Sequence, residues 1–431
     1  MKRILLFLSL LLISISACQT DKDPELPVQN KDLEAEDVPE TPTNSNETGI
    51  TSPFAFNAVE EEIIQRNNIF AFNLLREVEA DDMDKNILLS PFSASLAIGM
   101  LNNGAVGKTQ TEIQQALGYA NISIDELNSL YCKTDSLMTT GDKSVAFETA
   151  NSIWADIHLP LLPLFKETNS TFFNAEVRNV DMQVPKTADT INQWCAGKTH
   201  DRIKKIVEEN DIRNAAMLLT NALYFKGAWT YRFDEGKTQN KSFHNADRSF
   251  SVVPMMQMEL TCSYAEKDNY QAVEIPYGNG TFSMLIVLPD EGVEISSLVR
   301  NMNAESWKDL QAELHSAAVN LNMPRFKVEY QRKMNDDLQA LGMKAMFSDM
   351  TADFSKISST ALSVSLVLQK TFIEVNEEGT EAAAVTSVSM AFSAVNVPET
   401  LRDFIINRPF IYFIKEKKSG IIFFAGAVKM L

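Results

Sequence analysis

The segment from Glu374 to Ala391 (EVNEEGTEAAAVTSVSMA) constrains what this chain can fold into more than any other stretch. A charged turn, Glu377-Glu378-Gly379, opens a run of small and β-branched residues without Lys, Arg, Pro or further Gly. Side chains alternate between the two faces of an extended chain. Thr380, Ala382, Ala384, Thr386, Val388 and Met390 therefore share one face, which is uncharged and fits inside a sheet. The opposite face carries Glu381, Ala383, Val385, Ser387, Ser389 and Ala391, and with them the one charge. The alanines at the start have little strand propensity of their own. Such a segment can wait outside as a loop and later be accepted as a strand, which requires a sheet able to take it.

The N-terminus reads as a targeting sequence. Met1-Lys2-Arg3 precedes an apolar run, Ile4 to Ile15, that is short for a membrane span. Ile15-Ser16-Ala17-Cys18 resembles a bacterial lipoprotein signal, with cleavage before Cys18 and lipidation of that residue. Residues 19–57 hold nine Asp or Glu against two Lys, with four Pro before Pro53, the composition of a disordered acidic tether. The expected division is a signal peptide over 1–17, the lipidated Cys18 and tether over 18–57, and one folded domain over 58–431. Anchoring through Cys18 implies a lipoprotein of the cell envelope, held at an outer membrane and facing the surface or the periplasm. Asp21 and Asp23 resemble the acidic signals that send some lipoproteins to the surface.

The formal charge of −18 and the lack of a basic patch argue against nucleic acid as a partner. Cys132, Cys195 and Cys262 form an odd set without metal-ligand spacing and read as buried free thiols. Only four His occur, so neither metal nor cofactor is expected. The folded part shows no linker or repeat and is read as a single domain and a monomer.

Along that domain, Ala71, Leu74, Leu75 and Val78 have the spacing of an amphipathic helix near 60–80. Ser90 and Pro91 suit the N-cap and first position of a helix that is apolar on most of its circumference from Phe92 to Leu101, and therefore buried. Further helices are expected over Thr190–Val207 and Asp336–Phe347. Met217–Trp229 and Phe282–Leu288 read as fully buried strands. Val319–Tyr330 alternates with its phase shifted near Pro324. Phe410–Ile414 and Ile421–Ala425 read as a hairpin turning at 416–420. Helices dominate the first half and strands the second, which argues an α+β domain with largely antiparallel pairing.

Several segments, in one order, resemble the serpin family of conformationally trapping protease inhibitors. Asn86-Ile-Leu-Leu-Ser-Pro-Phe-Ser93, Asn103-Gly-Ala-Val-Gly-Lys-Thr109 and Glu112–Leu117 resemble its second helix and the segment after it. Thr220-Asn-Ala-Leu-Tyr-Phe-Lys-Gly-Ala-Trp229 resembles its most recognisable internal strand, continued by Phe233-Asp234, Thr238, Phe243-His244 and Val253-Pro-Met-Met256. Leu285–Gly292, Met323-Pro-Arg-Phe326, Asn407-Arg-Pro-Phe410 and Phe424-Ala-Gly426 complete the match over 58–431.

That resemblance implies an α+β fold of three sheets and eight to nine helices, with an exposed reactive loop over about 377–401. A protease cuts the loop, which then inserts into a sheet and drags the covalently attached enzyme across the molecule. Glu377, Gly379, Thr380, Glu381, Ala382, Ala383 and Ala384 correspond to the loop's hinge. Ser90, Ser93, Asn221 and Gln369 correspond to a polar cluster where the sheet opens. Gln369 stands where many animal relatives have His, which removes a titrating group but keeps a donor and an acceptor. Trp229 corresponds to the aromatic at the loop's entry point.

Counting on from Glu377 as family geometry suggests gives Ser393–Ala394 as the scissile bond, with Phe392–Ser393 as the runner-up. No Lys or Arg lies between Gly379 and Leu401, so a trypsin-like pocket finds nothing to grip. A small residue before the bond suits elastase-like or subtilisin-like enzymes, and Phe392 suits chymotrypsin-like ones or papain-like cysteine proteases. An enzyme reading fails by comparison. Asn102–Thr109 lacks the first glycine of a phosphate-binding loop and follows a helix, and no hydrolase motif occurs. A non-inhibitory binding lipoprotein on the same scaffold is the alternative, opposed by the uncharged hinge.

Overall fold

The computed structural model describes residues 55–380 and 400–431. The expectations for residues 1–54, for Glu381–Ala384 and for Phe392–Ala394 fall outside the described residues.

The strands of the first two-thirds are β1 (Ile87–Leu89), β2 (Val145–Asp156), β3 (Glu176–Val180), β4 (Met217–Ala228), β5 (Gln239–His244), β6 (Phe250–Lys267), β7 (Tyr270–Pro276) and β8 (Phe282–Pro289). They are followed by β9 (His315–Pro324), β10 (Phe326–Lys333), β11 (Leu366–Asn376), β12 (Gly379–Thr380), β13 (Arg402–Ile405), β14 (Phe410–Glu416) and β15 (Ile422–Val428). Ten α-helices and two 3-10 turns accompany them among the described residues, a count raised above the expected eight or nine by single-turn pieces such as Glu209–Ile212.

Six strands form one sheet in the order β10-β11-β12-β4-β2-β3. Within it β4 and β11 are parallel neighbours, paired from Leu218↔Leu366 to Tyr224↔Phe372. Their other neighbours, β2 and β10, run antiparallel to them. A parallel pair flanked by antiparallel ladders is the arrangement left when one antiparallel strand is missing from between them. Both faces of β4 are covered, Leu219, Leu223 and Phe225 by the main core and Leu218, Ala222 and Tyr224 by a second cluster with Ile191, Cys195, Ile203 and Ile206. Burial on both faces explains why both of its faces carry large apolar side chains.

The second sheet runs β1-β15-β14-β8-β7-β6-β9-β13, with β5 also on β6. Strand β6 pairs with β5 through its first residues, with β7 through its last and with β9 along its other edge. Two of the three expected sheets are thus hydrogen-bonded into one through this 18-residue strand.

The α+β expectation is met, and most differences are local. The helix expected over Thr190–Val207 is Lys186–Lys198; beyond it, His200 and Asp201 have positive φ (46° and 60°) and turn the chain. The helix expected over Asp336–Phe347 spans Asn335–Ala340, because the chain turns at Gly342, whose φ is +107°. Cys195 and Cys262 are buried, but Cys132 is exposed, on the solvent side of helix Ile124–Thr140. The hairpin of β14 and β15 forms as read.

Candidate functional site

The chain leaves β11 through a turn built by Asn376. Its side-chain oxygen accepts from the backbone N–H of Glu378 (3.0 Å) and of Gly379 (3.3 Å), so the side chain itself templates the reversal. Gly379 has φ +146°, and a Cβ there would stand 2.1 Å from the Gly227 carbonyl oxygen and 2.7 Å from Ala228 Cα. Only glycine allows that approach. Gly379 and Thr380 then pair antiparallel with both neighbours, Asn376 and Val375 of β11 on one side and Ala228 and Gly227 of β4 on the other. The first two residues of the missing strand are in place.

Thr380 is fully buried, and its hydroxyl lies 2.7 Å from that of Tyr277. Tyr277 stacks flat on Trp229, with centroids 4.3 Å apart and planes 11° apart. Trp229 is buried and holds the turn twice: its backbone N–H donates to the Glu378 carbonyl (2.9 Å) and its Nε1 donates to the Asn376 carbonyl (3.0 Å). Burial keeps the Tyr277 phenol protonated far above its ordinary range, against the lowering effect of the Thr380 hydrogen bond.

Glu377 is buried and gripped by Arg325, whose Nε donates to both carboxylate oxygens (2.9 and 2.8 Å) and whose Nη2 donates to Oε1 (2.7 Å). The Thr238 hydroxyl donates to the same Oε1. Burial alone would raise the Glu377 pKa, but the Arg325 and Thr238 hydrogen bonds outweigh it and hold it below the usual carboxylate value. The carboxylate in turn raises Arg325 above its ordinary value. Both shifts describe a fixed ion pair.

Farther down the seam, Ser90, Ser93, Asn221 and Gln369 come together, all buried. Gln369 Nε2 donates to the Ser90 carbonyl and to Asn221 Oδ1, both at 2.9 Å, while Gln369 Oε1 accepts from the Ser90 N–H at 2.9 Å. The Asn221 amide donates to the Ser93 hydroxyl and, at 2.6 Å, to Asn151 Oδ1. The Ser90 hydroxyl caps its helix by accepting from the Ser93 N–H (3.3 Å), and donates to the Phe423 carbonyl (2.8 Å). Asn151, Asn221 and Gln369 are register neighbours on β2, β4 and β11, so the cluster ties the seam shut from side to side.

Sequence reasoning did not assign Arg325, Thr238, Tyr277, Asn376 or Asn151. Thr238 and Arg325 lie in segments that carry the family resemblance, and Arg325 also falls at the phase shift after Pro324, where β9 ends and β10 begins, but neither signal assigns a role. Among the described residues no group of three His, Cys, Asp or Glu could hold a metal ion, and no helix is long and apolar enough to cross a membrane.

Residues 65–430 match the family model described as serpin (serine protease inhibitor). Iripin-2 of Ixodes ricinus is 33% identical over 380 residues, 86% of this chain and 94% of that protein. Among solved structures, the thermophilic serpin tengpin in its native state has a TM-score of 0.79 at 30% identity, covering 88% of this chain and 96% of that one. A human thyroxine-binding globulin complex has a TM-score of 0.79 at 28% identity, covering 86% and 99%.

Proposed function

The chain belongs to the serpin family, and from that premise we propose that it is a suicide inhibitor of proteases that works by inserting its cut loop between β4 and β11. The observation that carries this reading is the placement of Gly379 and Thr380, antiparallel to both strands at the mouth of the seam. Below them β4 and β11 pair directly, so each further inserted residue separates them by one more step.

The protease nucleophile attacks the carbonyl carbon of the residue before the scissile bond, the peptide C–N bond breaks, and the amine of the following residue leaves. The loop, held to the enzyme by the acyl bond, is then free to enter the sheet. Carrying the register of Thr380 forward, an inserted strand would bring Met390 opposite Met217 and Ser393 opposite Asn214, just beyond the first residue of β4. That register favours Ser393–Ala394 as the bond, because the acyl-enzyme would clear the end of the sheet as insertion completes. About thirteen residues at roughly 3.3 Å each carry it on the order of 45 Å.

A small residue before the bond and the lack of Lys and Arg from Gly379 to Leu401 direct the inhibitor to elastase-like or subtilisin-like enzymes. Phe392 extends the range to chymotrypsin-like and papain-like ones. Lipidated Cys18 would tether the monomer to an outer membrane, with the acidic segment as spacer. The alternative is a binding lipoprotein, since the same fold occurs in a thyroxine-binding globulin. The buried, uncharged Thr380 favours insertion. Mass spectrometry of the loop after reaction with an elastase tests the bond: cleavage after Ser393 is expected, and cleavage outside 390–394 would overturn the assignment.

A further inference from the structure

We propose that Tyr277 is a positioning residue whose hydroxyl seats the first inserted side chain and so sets the register in which the rest of the loop enters. The inference rests on the insertion reading. Tyr277 directly succeeds β7 and belongs to the framework rather than to the moving segment. Its ring lies between Trp229, stacked at 4.3 Å, and Phe225, edge-on at 5.0 Å. Its backbone N–H donates to the Phe282 carbonyl (2.8 Å), and it forms an antiparallel bridge with Trp229. Gly227, the β4 partner of Thr380, leaves room for this: a Cβ there would stand 3.0 Å from the Tyr277 ring and 2.9 Å from that of Phe225. The hydroxyl position is therefore fixed independently of the loop.

That hydroxyl is fully buried and its partner among the described residues is Thr380, at 2.7 Å. A buried hydroxyl without a partner is costly, so the site discriminates between registers. A slip of one residue would present Gly379 or Glu381, and would also turn every later side chain to the wrong face. A slip of two would keep the faces but present Ala382, which has no polar group, or Glu378, which would bring a charge inward. Thr380 alone satisfies the hydroxyl and leaves the uncharged face inward. A strand of small, similar residues carries little register information of its own, which is why a polar pin at its first position matters.

The test uses the full chain cut in its loop by a metalloprotease, which forms no acyl-enzyme, and tracks the rate at which heat resistance rises after cutting. Tyr277→Phe and Thr380→Val are each expected to slow that rise about tenfold, the scale of one net hydrogen bond. The double variant should be no slower than the slower single one, and Thr380→Ser should stay within about twofold of the unaltered protein. The uncut variants lose the same hydrogen bond, so their unfolding midpoints should fall by a few degrees; the insertion rate, restored by Thr380→Ser, is the readout that a purely structural role would not move. Unchanged insertion rates, or Thr380→Ser as slow as Thr380→Val, would overturn the pin. Should Tyr277→Phe not fold, the two Thr380 variants decide alone. If cutting the unaltered protein brings no gain in heat resistance, the insertion reading itself falls, and this inference with it.

Discussion

Arg325 closes on Glu377 as a fork, with both carboxylate oxygens within 2.9 Å of the guanidinium. The pair joins the start of β10 to the point where the chain leaves β11. Since β11 is one wall of the seam, the fork holds that wall at its upper end. The carboxylate is buried while the arginine remains 44% exposed, so loss of the arginine leaves the more costly partner unpaired.

Arg325→Ala should therefore destabilise the uncut protein by about 1–3 kcal/mol and speed its spontaneous conversion to a loop-inserted, inactive form. Thermal unfolding and the decay of inhibitory activity at 37 °C measure the two effects.

The same pair gives the protein an acid limit. Glu377 titrates below the usual carboxylate value, so its contribution is fully present above about pH 4.3 and is lost as pH falls through the lowered native value. The stability difference between the unaltered protein and Glu377→Gln should be constant from pH 7 to pH 5 and shrink below about pH 4. Unfolding midpoints across that range measure it.

Gln369 offers a contrasting test in the polar cluster. Gln369→Leu strands the Ser90 N–H and Asn221 Oδ1 in a buried site, with an expected loss of about 2–3 kcal/mol. Gln369→His should instead make stability pH-dependent. A buried imidazole is held neutral, so the unfolded chain binds more protons below about pH 6.5 and stability falls as pH drops from 8 to 5.5. The unaltered cluster has no titrating group, and chemical denaturation at the two pH values separates the variants.

Thr380→Arg should turn inhibitor into substrate. An arginine cannot be buried beside Tyr277 without a counter-charge, so the cut loop stalls at its first step and the acyl bond is hydrolysed. The expected result is complete loop cleavage with at least a tenfold rise in inhibitor consumed per enzyme inactivated. Unchanged inhibition would contradict the insertion argument.

These sites differ in how much of them the sequence disclosed. Ser90 was readable locally, because a capping serine followed by Pro91 and an apolar run marks a buried helix start. Bringing it to Asn221 and Gln369 required the family pattern, since those residues lie on strands far apart in the chain. Tyr277 carries no local mark at all, and Thr238 entered only through the family pattern; their roles exist only once the hinge is folded onto them. The two helix errors have different causes: His200 and Asp201 turn the chain through backbone conformations that composition does not announce, whereas the later helix stops before Gly342, whose positive φ turns the chain. Cys132 misled because cysteine is usually buried, whereas its place on the solvent side of its helix decides its exposure.

The most direct test of trapping is the mass of the product formed when the purified protein meets an elastase. Denaturing electrophoresis should show an SDS-resistant conjugate of the summed masses of enzyme and inhibitor, less the fragment released beyond the scissile bond. Clean loop cleavage without any conjugate, across elastase-, subtilisin-, chymotrypsin- and papain-like enzymes, would contradict trapping by loop insertion.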